Sequence, residues 1–119
     1  NDVTAKEILK RDPSFPQWTR AKGFDSFGVF GPYIATGLDV DTLVIQSRLD
    51  GELLQNYTVT DMVFRPHKLV SMISQDISLY PGDIIACGTG LNATSMEDGQ
   101  IIEVSIDGIG VLSNKMTPC

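Results

Sequence analysis

From Leu43 the chain alternates, with Leu43, Ile45, Ser47 and Leu49 on one side and Val44, Gln46 and Arg48 on the other. A period of two predicts a half-buried strand. Asp50-Gly51 follows, a pair that tolerates positive φ at both positions, and it predicts a type I′ hairpin with a return strand from Glu52 to about Thr58. Ile102, Val104 and Ile106 alternate with Glu103 and Ser105, and Asp107-Gly108 turns the chain into Ile109 to Leu112, a second hairpin. Between them, Leu69, Met72, Ile73 and Ile77 recur at three- and four-residue intervals. That spacing predicts a helix of about ten residues with one apolar stripe, ended by Pro81-Gly82-Asp83. The apolar run from Ile84 to Gly88 reads as a fully buried strand.

Near the front, Thr4-Ala5-Lys6-Glu7 has capping-box spacing and predicts a short helix to about Arg11. Asp12-Pro13-Ser14-Phe15-Pro16 stops it, because proline lacks the donor N–H and restricts the residue before it, and a loop follows through Trp18. Lys22 to Gly37 carries Gly23, Gly28, Gly31, Pro32 and Gly37, a composition for an irregular segment whose backbone is closely approached. The chain is strand-dominated, with two short helices and no internal repeat.

A length of 119 residues fits one compact unit or a piece of a larger one, with little core to spare, so association with partner chains is expected. Hydrophobic residues at 42% against 20% charged separate the chain from disordered sequences. The net charge of -6 repels phosphate backbones and anionic headgroups, which argues against nucleic acid as a partner. Apolar runs such as Ile84-Ile85-Ala86-Cys87 fall far short of the ~20 residues that span a bilayer, so no membrane partner is expected. Cys87 lies in an apolar run and Cys119 is the last residue. Neither has disulfide or Cys-x-x-Cys spacing, which favours a reducing, cytoplasmic setting. The first residue is Asn1, with no leader before the first element, and the expectation is a chain that starts in mid-protein.

Residue patterns alone give mild chemistry. His67, between Pro66 and Lys68, has no Cys, Ser or second His at catalytic spacing and reads as a surface or capping residue. Asp39-Val40-Asp41 opens like a calcium loop but lacks the glycine at position six and the twelfth-position glutamate, so it reads as a turn. Gly88-Thr89-Gly90 follows an apolar run and its N–H groups could face an anion, but it lacks the spaced glycines and Lys-Ser/Thr of a phosphate loop, so a plain turn is the leading reading. No Gly-x-Ser-x-Gly elbow occurs, against a serine esterase of that design. Asp2 precedes a helix, where a carboxylate ordinarily partners the helix dipole.

A larger pattern emerges from the strings taken in order: Asn1 to Ala5, Ala21 to Asp25 with Gly31-Pro32, Asp50-Gly51-Glu52 with Gln55, Thr60-Asp61-Met62, and Ile73-Ser74. Leu79 to Ile85, Gly88-Thr89-Gly90 and Gly108 to Leu112 complete it. Together they resemble the fumarylacetoacetate hydrolase superfamily over nearly the whole chain. The resemblance implies a mainly β or α+β fold, a mixed β-sheet roll with a few short helices. It also implies that residues 1–119 are the C-terminal portion of a single catalytic domain whose upstream segment is missing.

The same resemblance implies a divalent ion, Mg2+ or Mn2+, with Asp2 matching the family's ligand aspartate. The other ligands belong to a Glu-x-Glu pair upstream, and no such pair occurs in this chain. Hard oxygen ligands suit magnesium, which keeps positions for water and a chelating substrate. Lys22 matches the family's pocket lysine, a catalytic and substrate-binding charge beside the developing oxyanion or the substrate carboxylate. Thr89 stands in the family's Gly-Thr-Pro stretch and offers a hydroxyl and N–H to a carboxylate, with Gly90 in place of the proline leaving a looser turn. Lys6 replaces an arginine of the family's Ser/Thr-Ala-Arg-Asp helix, a point charge for a bidentate fork toward substrate. Leu91 to Ser95 intervene where relatives continue into Gly-Val-Gly. The family's general base lies on an N-terminal lid outside this sequence, so His67 is not assigned that role.

The implied activity is that of a metal-dependent hydrolase, isomerase or lyase acting on a 2-oxo acid, acylpyruvate or dienedioate. Carbon-carbon hydrolysis, isomerisation and decarboxylation share a metal-bound enolate in this family. The alternative is a non-catalytic member or fragment that serves as an oligomerisation module. Family members are commonly dimers, so a homodimer or higher homo-oligomer is expected.

Overall fold

Two short helices, Lys6–Lys10 (α1) and Trp18–Lys22 (α2), organise the segment Asn1–Gly31. This is the first of two compact units into which contacts divide the chain; the second runs from Pro32. The computed structural model describes residues 1–117. The capping box expected at Thr4 does not form: Ala5 is the N-cap of α1 and no side chain caps it. The Thr4 hydroxyl is taken by another donor, accepting from Lys22 Nζ at 3.0 Å. Beyond α1, the Ser14 N–H donates to the Asp12 carboxylate at 3.0 Å, a local turn that Pro13 reinforces by supplying no N–H. Helix α2 replaces the loop expected through Trp18. It has a single buried position, Ala21, and so shows no periodic stripe in the sequence. The Ala5 N–H donates to Ala21 O at 2.9 Å and ties the start of α1 to α2. Close approach is real at Gly23, where a Cβ would stand 2.8 Å from Thr19 O. The chain's first residues pair with the end of the unit: Asp2 forms an antiparallel bridge with Gly28, and the Asn1 nitrogen donates to Val29 O at 2.8 Å.

The second unit is built on a four-stranded antiparallel sheet. Its strands are Val44–Leu49 (β1), Glu52–Thr58 (β2), Ile101–Ile106 (β3) and Gly110–Lys115 (β4), in the order β2-β1-β3-β4. Both expected hairpins are present. Asp50 and Gly51 hold φ of 50° and 85°, the left-handed pair that a type I′ turn requires. The Asp50 carboxylate accepts from the Ile101 N–H at 2.8 Å and from Gln100 Nε2 at 2.9 Å, so the tip of the first hairpin is fastened to the start of β3. Within β1–β2 the register shifts between Ser47 and Arg48, which face Gln55 and Leu53 and leave Leu54 as the extra residue of a bulge. A capping box does occur, at Thr58: its N–H donates to the Asp61 carboxylate at 3.0 Å over a 3-10 turn, Val59–Asp61.

The expected central helix forms at Pro66–Ile73 (α3), with proline in its first turn, and ends before Ile77. The buried strand expected from Ile84 to Gly88 is absent; that run joins no ladder, Ile84 is 62% exposed, and Cys87 is exposed and free. An apolar run carries no periodicity that separates strand from extended coil, and no neighbouring strand supplies its hydrogen bonds. Cys119 lies outside the described residues. Among the described residues the buried apolar side chains are Ala21 and Val59, which agrees with the thin core expected from length. No helix among them is long and apolar enough to cross a membrane. The mainly β or α+β class that the resemblance implied is present, as a small sheet with a few short helices, and its four strands pair antiparallel throughout.

Candidate active site

Lys22 is the last residue of α2, and Asp2 is held by its bridge to Gly28. Lys22 Nζ donates to Asp2 Oδ2 and to Thr4 Oγ1, the latter at 3.0 Å, and lies 5.8 Å from the centroid of the Trp18 ring. Trp18 and Lys22 stand four apart on one helix and therefore on one face. The indole shields one side of the ammonium at cation–π range. The Lys22 and Asp2 side chains remain 34% and 51% exposed, so the pair is open to solvent and to a ligand. An ammonium has three donors. Two are engaged here, by Asp2 and Thr4, which leaves the third without a partner among the described residues. Local pattern marks neither Trp18 nor Thr4 for the site: Trp18 follows a proline-rich stop that predicts a loop, and Thr4 has the spacing of a helix cap.

A divalent centre needs several oxygen ligands. Among the described residues no group of three or more His, Cys, Asp or Glu could hold a metal ion. The described residues thus do not complete such a centre. A half-exposed carboxylate beside a lysine fits at most one contributed ligand, and the resemblance offers Asp2 alone for that part. Lys6 opens α1 and is exposed.

Thr89 belongs to the second unit, in an exposed segment to which the Gln55 side chain donates. Gln55 Nε2 donates to Thr89 Oγ1 at 3.1 Å, to Gly90 O at 3.2 Å and to Leu91 O at 2.8 Å. Behind it, the buried Ser47 donates from Oγ to Gln55 Oε1 at 2.8 Å. Tyr57, two residues along β2 and on the same face, covers Gly90. Gln55 belonged to a family-like string, yet nothing local marked it as a clamp. His67 is exposed on α3, and Asp39 caps a turn by accepting from the Asp41 N–H at 3.1 Å, both in keeping with their plain readings.

Residues 1–117 match the family model described as "Fumarylacetoacetate (FAA) hydrolase C-terminal". An uncharacterized protein of Archaeoglobus fulgidus is 42% identical over 96% of this chain and 44% of its own length. The mitochondrial oxaloacetate tautomerase Fahd2a of Rattus norvegicus is 32% identical over 98% of this chain and 40% of its own. The crystal structure of 2-hydroxyhepta-2,4-diene-1,7-dioate isomerase from Mycobacterium marinum superposes with a TM-score of 0.92 at 37% identity, over 98% of this chain and 45% of that one. The chain spans about half the length of the curated relatives it matches. The match of the family model to residues 1–117, with a fold shared at a TM-score of 0.92, places the chain in the fumarylacetoacetate hydrolase family.

Proposed function

We propose that this chain is the C-terminal portion of a divalent-metal-dependent catalytic domain acting on a 2-oxo acid, an acylpyruvate or a dienedioate, by carbon-carbon hydrolysis, isomerisation or decarboxylation. The observation that carries the reading is the half-exposed Lys22–Asp2 pair, with Thr4 on the same ammonium, in a chain of this family. Enzymes of the family are generally dependent on divalent metals. Magnesium or manganese, with Asp2 as one ligand, would supply Lewis-acid polarisation of the 2-carbonyl. Lys22 is anchored by Asp2 and Thr4, and its fixed charge faces an oxygen that gains negative charge during reaction. Thr89 donates to a substrate carboxylate, and Lys6 adds positive charge at the start of α1. The tautomerase and isomerase activities named for two relatives both move protons beside a carbonyl, which supports this substrate class.

The exposed apolar side chains of the described residues, Ile34, Val63 and Leu91 among them, support assembly as a homodimer or higher homo-oligomer. The exposed free thiol of Cys87 suits a reducing, cytoplasmic setting. A panel of acylpyruvates, oxaloacetate and dienedioates, given to the full-length protein with magnesium or manganese, tests the proposal. Turnover of at least one class is expected, and inactivity on all of them defeats it. Lys6, a point charge where the family carries an arginine, supports a second reading, a non-catalytic oligomerisation module. Failure of the full-length protein to bind magnesium or manganese at millimolar concentration selects that reading.

A further inference from the structure

We infer that Gln55 is the positioning residue of the 89–91 segment and that it turns the Thr89 hydroxyl outward as a donor to the substrate carboxylate. The inference rests on the proposed role of Thr89. Gly90 O and Leu91 O can only accept, so the side of the Gln55 amide that faces them at 3.2 and 2.8 Å must be its NH2. Oε1 then faces back into the sheet, where the buried Ser47 hydroxyl donates to it at 2.8 Å. Ser47 and Gln55 stand directly opposite across β1 and β2, a pairing that the bulge at Leu54 creates. The orientation of one amide is therefore fixed from both ends. Nε2 also reaches Thr89 Oγ1 at 3.1 Å, and an oxygen that accepts there keeps its own hydrogen for another partner. An anionic carboxylate is the partner that gains most from a hydroxyl so directed.

The chain of contacts runs from the sheet to Ser47, Gln55 and Thr89, and each member predicts a different loss. The test measures the Kd of the full-length protein for pyruvate, which carries the 2-oxo carboxylate, together with kcat and KM on the most active member of the substrate panel. Gln55→Glu keeps the acceptor for Ser47 and removes every donor. Both Gln55→Glu and Thr89→Val are expected to weaken Kd and raise KM about tenfold with kcat changed less than about threefold, the size of one lost charge-assisted hydrogen bond. Ser47→Ala gives a smaller shift of the same kind. Because the glutamine acts through the threonine, adding Gln55→Glu to Thr89→Val costs nothing further, a non-additivity that general loss of structure does not produce. Melting temperatures identify any variant that fails to fold, and Ser47→Ala then carries the same test. Unchanged Kd and KM in Gln55→Glu and Ser47→Ala beside weakened Thr89→Val, or effects that multiply in the double variant, overturn the inference and spare the role of Thr89. Unchanged binding in Thr89→Val overturns that role and this inference with it.

Discussion

The ring of Tyr57 lies so close to Gly90 that a Cβ on that glycine would stand 2.8 Å from Cδ1 and 3.0 Å from Cε1. Glycine at the family's proline position is thus matched to an aromatic neighbour, and the turn is fastened rather than loose. Gly90→Ala is expected to cost about 1–3 kcal/mol, the range for overpacking a fitted contact. Combining it with Tyr57→Ala should cost less than the two single effects added together. Urea unfolding of the three variants decides it, and strict additivity counts against the contact.

Asp2→Ala should abolish metal-dependent turnover of the full-length protein, since it removes the carboxylate proposed as a ligand and leaves Lys22 without its anionic partner. Steady-state assays with magnesium and manganese check this. Full turnover would refute the assignment of Asp2.

Lys22→Met retains the aliphatic stem against Trp18 and deletes the charge. A loss of about 100-fold or more in kcat is expected, as for removal of one preorganised donor to a developing oxyanion. Lys22→Arg should recover little of it, because a planar fork cannot reproduce the geometry of an ammonium shared between Asp2 and Thr4.

At the first hairpin, Asp50→Ala strands the Ile101 N–H and burdens a left-handed position at φ 50°. A loss of about 1–3 kcal/mol follows from one unmade hydrogen bond plus that strain. Asp50→Asn keeps an acceptor and tolerates the left-handed region, so its cost should fall well below that of alanine. Thermal denaturation ranks the pair.

The Asp12 carboxyl is held below its ordinary value of 3.8, first by the Ser14 hydroxyl and then by the Ser14 N–H. A folded pKa below the unfolded one gives a contribution that is present above pH 3.8 and lost as pH falls through the lower folded value. An NMR titration should place the Asp12 midpoint under 3.8, and Ser14→Ala should move it back toward that value. A midpoint unmoved by the substitution would exclude the hydroxyl as the cause.

Both hairpins were legible because their signals are local: alternation in the strands and Asp-Gly or Gly at the turns, where backbone strain selects the residue. Thr4 misled because a lysine eighteen residues away in sequence claims its hydroxyl, and no window around the helix start contains that donor. Ile84 to Gly88 misled because apolar composition says nothing of whether a neighbouring strand exists. In the candidate site, Asp2 and Lys22 came from family likeness, while local pattern had given the aspartate only a dipole role. Trp18 stayed hidden with the helix that carries it. Gln55 stayed hidden for another reason: its task depends on a one-residue bulge and on a segment more than thirty positions away.

The strand order β2-β1-β3-β4 also has a kinetic consequence. Each outer pair closes over a turn of few residues and can nucleate by itself, whereas β1 and β3 meet only when Ile45 finds Ile106 and Leu49 finds Ile102 across the intervening chain. Loop-closure entropy is concentrated in that one central seam. Closing that seam, secured at its end by Asp50 and Ile101, is therefore the step expected to limit how fast the sheet assembles.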